Sequence, residues 1–170
     1  MIKSSNTGAW RSWLARMVWD HEVRGSSPLA PTNKLSCCIQ NMKFYIASRL
    51  KNKQLVKEIH DKLERNGHEI ISTWIREKNI MPYGMYEKAA KERAIQCIKE
   101  IGKCDIFILI TDSEGAGMYT ELGVAIQSIN IKNTPKIYVI GNHLTRSMFF
   151  FYPNVKRFKT FDGVLEDINN

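Results

Sequence analysis

Cys104-Asp105-Ile106-Phe107-Ile108-Leu109-Ile110-Thr111 sets five consecutive large apolar residues between two turn-prone stretches, Gly102-Lys103 before it and Asp112-Ser113-Glu114-Gly115 after it. So short a run predicts a strand. Its lack of apolar/polar alternation predicts a strand covered on both faces, the mark of a parallel sheet. Helical patterns flank it. A long helix is expected over about Tyr86 to Lys103, with Ala89, Ala90, Ala94, Ile98 and Ile101 turned inward, and another over about Tyr119 to Ile131. Further out, Lys43 to Ala47 (K-F-Y-I-A) reads as a first strand. Leu50 to Asn66 reads as a helix, with Leu55, Val56, Ile59 and Leu63 at three- and four-residue steps and Gly67 as its closing C′ glycine. His68 to Ile75 reads as a second strand, Lys136 to Ile140 as a fourth, and a short helix is expected near Gly163 to Ile168. Such alternation, joined by right-handed crossovers, predicts an α/β fold: a doubly wound, flavodoxin- or Rossmann-like, mostly parallel sheet with helices on both faces.

The chain has 170 residues, 44% apolar, with 25 Lys+Arg against 17 Asp+Glu. That suits one domain with a real core, and its longest apolar runs fall far short of the roughly 20 residues of a membrane span. Four cysteines, adjacent at 37 and 38 and separate at 97 and 104, match neither a secreted disulfide framework nor paired zinc knuckles, so a reducing, cytoplasmic setting is expected. His60, His68 and His143 stand apart from one another, and no metal site is expected.

Residues 1–41 read differently from the rest. They hold five Lys/Arg against two Asp/Glu, leaving 20 against 15 for the remainder. Trp10, Trp13, Leu14, Met17 and Val18 allow a two-turn amphipathic helix, and the turn-rich stretch after it matches a disordered tail. A third reading concerns the gene. Gly25-Ser26-Ser27-Pro28 can be encoded by a T-arm-like sequence, while Gly8-Ala9 and Ala30-Pro31 permit complementary acceptor-stem ends at tRNA-like separation. On this reading a tRNA gene has been translated, the protein starts at Met42, and residues 42–170 are the domain.

Doubly wound sheets take ligands beyond the carboxyl ends of their strands, where the strand order switches. The loops after the first and third strands are therefore the expected site. No G-x-G-x-x-G follows a strand and no G-x-x-x-x-G-K-[ST] occurs, which removes the usual dinucleotide and P-loop modes. What remains is Gly115-Ala116-Gly117-Met118-Tyr119-Thr120-Glu121-Leu122-Gly123. Its glycines admit a ligand close to backbone, and its carboxylate is expected in the first helical turn, where the helix terminus stabilises an ionised form by up to about 1 kcal/mol. An ionised carboxylate beside a sugar is a nucleophile for an anomeric carbon. The plainer alternative is that Glu121 caps the helix and Gly123 permits close packing.

Residues 43–168 resemble the nucleoside 2-deoxyribosyltransferase family and its relatives the deoxynucleoside 5′-monophosphate N-glycosidases. The matching pieces are F-Y-I-A-S-R (Phe44 to Arg49), C-D-I-F-I-L-I (Cys104 to Ile110) and G-A-G-M-Y-T-E-L-G-V-A (Gly115 to Ala125). The resemblance implies that Glu121 is the nucleophile, that Tyr45 lies beside it and the sugar, and that Ser48 and Arg49 help hold a phosphate. It implies cleavage of an N-glycosidic bond or 2-deoxyribosyl transfer without a cofactor, acting on a nucleoside or nucleoside 5′-monophosphate, with a homo-oligomer possible and neither membrane nor nucleic acid as partner. Trp74, Asp112, Gly115, Gly117 and Met118 complete the candidate substrate contacts. One position departs from the family: the Asp it carries eight residues before the third-strand aspartate corresponds to Cys97. That substitution leaves open a second reading, a catalytically inactive nucleotide- or nucleoside-binding module. The cluster Met148 to Pro153 is expected to close the pocket or to meet another subunit.

Overall fold

The computed structural model describes residues 41–170, and the readings placed on residues 1–40 lie outside them. The run Ile106–Ile110 is a strand, buried at all five positions. It is the third of five: β1 (Lys43–Ala47), β2 (Glu69–Ile70), β3 (Ile106–Ile110), β4 (Lys136–Ile140) and β5 (Val155–Phe158). All pairings are parallel and the order is β2-β1-β3-β4-β5, with Phe44 beside Ile106 and Phe107 beside Ile137. This is the doubly wound, flavodoxin-like order, whose switch point falls between β1 and β3.

Right-handed crossovers decide the layers. The first, through α1 (Lys53–Arg65), moves from β1 to β2 in one direction. Those through α2 (Glu87–Ile101) and α3 (Gly117–Lys132) move the opposite way and so cover the other face. The terminal helix α4 (Phe161–Asn169) joins α1, as Lys62 shows by bonding Asp162 at 2.6 Å and lying over the Phe161 ring. On the far face Phe150, fully buried, packs on Tyr119 of α3.

Local sequence explains the ends of α1. Gly67 takes φ +80°, and the bonds Gly67 N–H to Glu64 C=O and His68 N–H to Leu63 C=O close the helix in a Schellman turn, as its C′ position predicts. Leu55, expected on the apolar face, is half exposed.

Four expectations need correction. The second strand does not run to Ile75. Glu69 and Ile71 donate to Met42 and Phe44, but the next rung is taken apart by side chains: the Thr73 amide goes to Glu100 and the Ile46 carbonyl accepts the Trp74 indole N–H at 2.8 Å. The chain then leaves the sheet in a short 3-10 turn, Trp74–Arg76. Second, α2 is rotated from the expected face. Cys97, Glu100 and Ile101 are buried while Ala94 and Ile98 are exposed, because Glu100 is drawn inward by bonds from Thr73 and Gln96. Third, β5 lies in the stretch that carried no strand prediction. Lys156 and Arg157 interrupt its apolar pattern, as an edge strand permits. Fourth, α3 starts at Gly117, so Glu121 lies in its second turn.

Gly141 follows β4 at φ +117°, and a Cβ there would lie 2.5 Å from Thr111 Oγ1. That hydroxyl donates to the Ile140 carbonyl and accepts from His143 N–H. Gly141→Ala combines a left-handed backbone with a clash against a bonded group, and is expected to cost about 2–3 kcal/mol in denaturant unfolding.

Candidate active site

β1 alternates its side chains between the two faces. Phe44 meets His68 on one side, while Tyr45 stacks on Phe107 at 5.7 Å and faces α2 and α3. Tyr45 is fully buried, yet its hydroxyl has a partner: it donates to Glu121 Oε1 at 3.0 Å. Cys97, buried on α2, lies close enough to both groups to shift their protonation. Elements β1, α2 and α3 thus converge on one carboxylate.

Burial governs the protonation of this cluster. It pushes the Glu121 carboxyl up to about 7, against the pull of bonds from Tyr45 and Cys97, and the nearby Glu100 charge adds to the rise. The expectation of a carboxylate stabilised by the helix terminus is therefore overturned: Glu121 sits a full turn inside α3, where desolvation outweighs the dipole. The Tyr45 phenol is raised by burial and by the adjacent Glu121 charge. Burial likewise takes the Cys97 thiol up to about 11, so it stands neutral beside the carboxylate.

A second cluster closes the mouth of the crevice. Asp112, just past β3, is buried, and its carboxylate receives Arg49 at 3.2 Å, Lys51 at 2.9 Å and the Asn52 amide at 3.2 Å. Burial acts to raise its pKa, but the bonds from Lys51, Arg49 and Asn52 prevail and hold it well below the usual carboxylate range. Arg49 also reaches Glu114 at 2.9 Å. Gly115, at φ +109°, lies under the Arg49 stem: a Cβ would come within 2.9 Å of Arg49 Cγ. Ser48 Oγ accepts from Asn52. Arg49, expected to help hold a phosphate, is thus already paired with carboxylates.

The sequence candidates divide accordingly. Tyr45 and Glu121 are bonded to each other, and Ser48, Arg49, Asp112 and Gly115 form the mouth cluster. Met118 is buried in the core, and Gly117 opens α3 with free space at its Cα. Gly123 likewise has open space and makes no close packing. Trp74, 8% exposed, is packed in the core with its N–H spent on β1. Asp105 is structural, accepting Lys43 N–H at 2.8 Å. The Met148–Phe151 turn buries Phe150 and exposes its other three side chains, with Arg157 over the Phe151 ring. Sequence reasoning gave Asn52 no role and let Glu100 approach the site only if α2 turned from its expected face, which is the rotation found. Glu100 shares the helical face of Cys97, three residues on.

A separate cleft of about 610 Å³ lies between α1 and the Trp74–Arg76 turn, with Lys57, His60 and Glu64 in its wall, and it shares only Lys51 with the mouth cluster. Among the described residues no group of three metal-ligating side chains occurs, and no helix is long and apolar enough to cross a membrane.

Neither the comparison with protein-family models nor that with curated proteins finds a match. Among solved structures, the chain is similar to the CMP N-glycosidase BcmB of Clostridium botulinum, at 16% identity and a TM-score of 0.49, over 75% of this chain and 99% of that one.

Proposed function

We propose that the protein cleaves the N-glycosidic bond of a 2-deoxyribonucleoside or its 5′-monophosphate, with Glu121 as the nucleophile. The observation that carries this reading is the Tyr45–Glu121 pair, bonded at 3.0 Å and built on β1, the strand that borders the switch point where doubly wound sheets take ligands. A Glu121 Oε–C1′ bond forms as the C1′–N bond breaks, and the electron pair leaves with the base. Water or a second base then attacks C1′ and frees the carboxylate. Tyr45 holds Glu121 in line and steadies its charge. A carboxyl with pKa near 7 is half ionised at neutral pH and more basic than a solvated one, which suits a nucleophile. The resemblance of Gly115 to Ala125 to the deoxyribosyltransferase signature supports the same role, and no step needs a cofactor.

The second reading, a binding module without turnover, is favoured by one observation: near Glu121, at the position where the resembled family has an Asp, stands a thiol that burial keeps neutral. Incubating the protein with deoxynucleosides and their 5′-monophosphates, with and without a free base, separates the two. Base release or exchange, followed by chromatography, supports the enzyme; micromolar binding without turnover supports the module.

Tyr45→Phe removes the donor that favours ionised Glu121. The pH at which activity reaches half its plateau is expected to move up from about 7 by about one unit. An unchanged midpoint would place Tyr45 outside the protonation chemistry of the site.

A further inference from the structure

Base departure leaves an electron pair on the leaving ring, and in this site the position of the family's Asp holds a thiol. A second polar group lies on the same helix. Arg93 lies on α2 four residues before Cys97, hence on the same helical face and about 5–6 Å from it at Cβ. α2 enters β3 from the amino end of that strand, so Arg93 is a turn nearer than Cys97 to the carboxyl ends, where ligands enter. Its side chain is 19% exposed, with one terminal nitrogen given to Glu77 and to the Lys78 carbonyl. Its Nε–H is buried without a hydrogen-bond partner among the described residues. A buried guanidinium donor left unpaired costs free energy, and each such exception calls for an explanation, a catalytic role among them. The other buried unpaired nitrogen, His68 Nδ1, lies beside Phe44 on the opposite face of the sheet.

Resting on the reaction proposed above, we infer that Arg93 is a catalytic residue that donates its unpaired N–H to the departing nucleobase. As the Glu121–C1′ bond forms and the C1′–N bond breaks, the pair spreads over the base onto its ring nitrogen or carbonyl oxygen. Arg93 stabilises that charge, and the base then takes a proton from water. The guanidinium keeps its own protons, so it acts as a fixed electrostatic donor.

The test compares two substrates in the full chain: a 2′-deoxynucleoside of an unmodified base, which leaves as an anion, and 7-methyl-2′-deoxyguanosine, whose base leaves with its positive charge cancelled. Arg93→Ala is expected to slow the first about 100-fold and the second less than about threefold. Arg93→Lys, which keeps a charge opposite Glu77, is expected to show the same selective loss. Glu77→Gln, which breaks the ion pair but leaves Nε in place, should stay within about threefold of wild type on both. Equal losses on both substrates would make Arg93 a structural residue and overturn the inference, as would full activity of Arg93→Ala on the unmodified base. If the wild type turns over neither substrate, the proposed reaction itself falls and this inference with it.

Discussion

Glu121→Gln is expected to reduce base release by on the order of 10³-fold or more while making the protein more stable above neutral pH. The two effects come from one fact, the burial of a carboxyl that must ionise to act. The folded chain raises this group from its ordinary 4.5 to about 7. A group raised in that way contributes its stability below the unfolded value and loses it as the pH climbs through the folded one. Wild type should therefore weaken relative to Glu121→Gln between about pH 4.5 and 7, with a constant gap above that window. Because the carboxylate is partly exposed, that gap is on the order of 2 kcal/mol. Activity runs the other way across the same window, rising with pH as the nucleophile ionises. Denaturant melts at pH 5 and pH 8 beside rate measurements check both. A variant that loses activity and is destabilised equally at both pH values would mean that Glu121 serves packing alone.

Trp74→Ala is expected to cost about 4 kcal/mol. The residue is nearly fully buried, so its loss leaves a large cavity, and it also strips the Ile46 carbonyl of the indole N–H that replaces a rung of the sheet. Trp74→Phe should fall between, at about 2 kcal/mol, keeping most of the ring volume but leaving the carbonyl without a donor. Chemical denaturation measures both. A Trp74→Ala protein of wild-type stability with weakened nucleoside binding would restore Trp74 to the candidate substrate contacts.

The reach of the sequence can be traced residue by residue. β1 and β4 were legible to the residue, because five-residue apolar strands between polar turns admit no other reading. β2 was not, since its extent is set by Glu100 of α2 and by Trp74 of its own segment, whose side chains take over the backbone partners of the next rung. β5 was hidden because Lys156 and Arg157 obey the rules of an edge rather than those of a core. In the candidate site, the motifs singled out Glu121 and Tyr45, which the fold brings into one hydrogen bond. The ionised Glu121 expected from a helix terminus was not legible, because helix position can be guessed from spacing but depth of burial cannot. The face of α2 was misread for a related reason: alanines and isoleucines surround that helix, and only the polar Gln96–Glu100–Thr73 contacts decide which side turns in.

The two margins of the sheet carry a further consequence. On one side β2 offers two residues before the chain turns away, and on the other β5 presents Lys156 and Arg157. An incoming strand would find too few free amides at the first border and buried or repelled charge at the second. Among the described residues both borders of the sheet are thus poor templates for a further strand, which limits growth of the sheet from chain to chain.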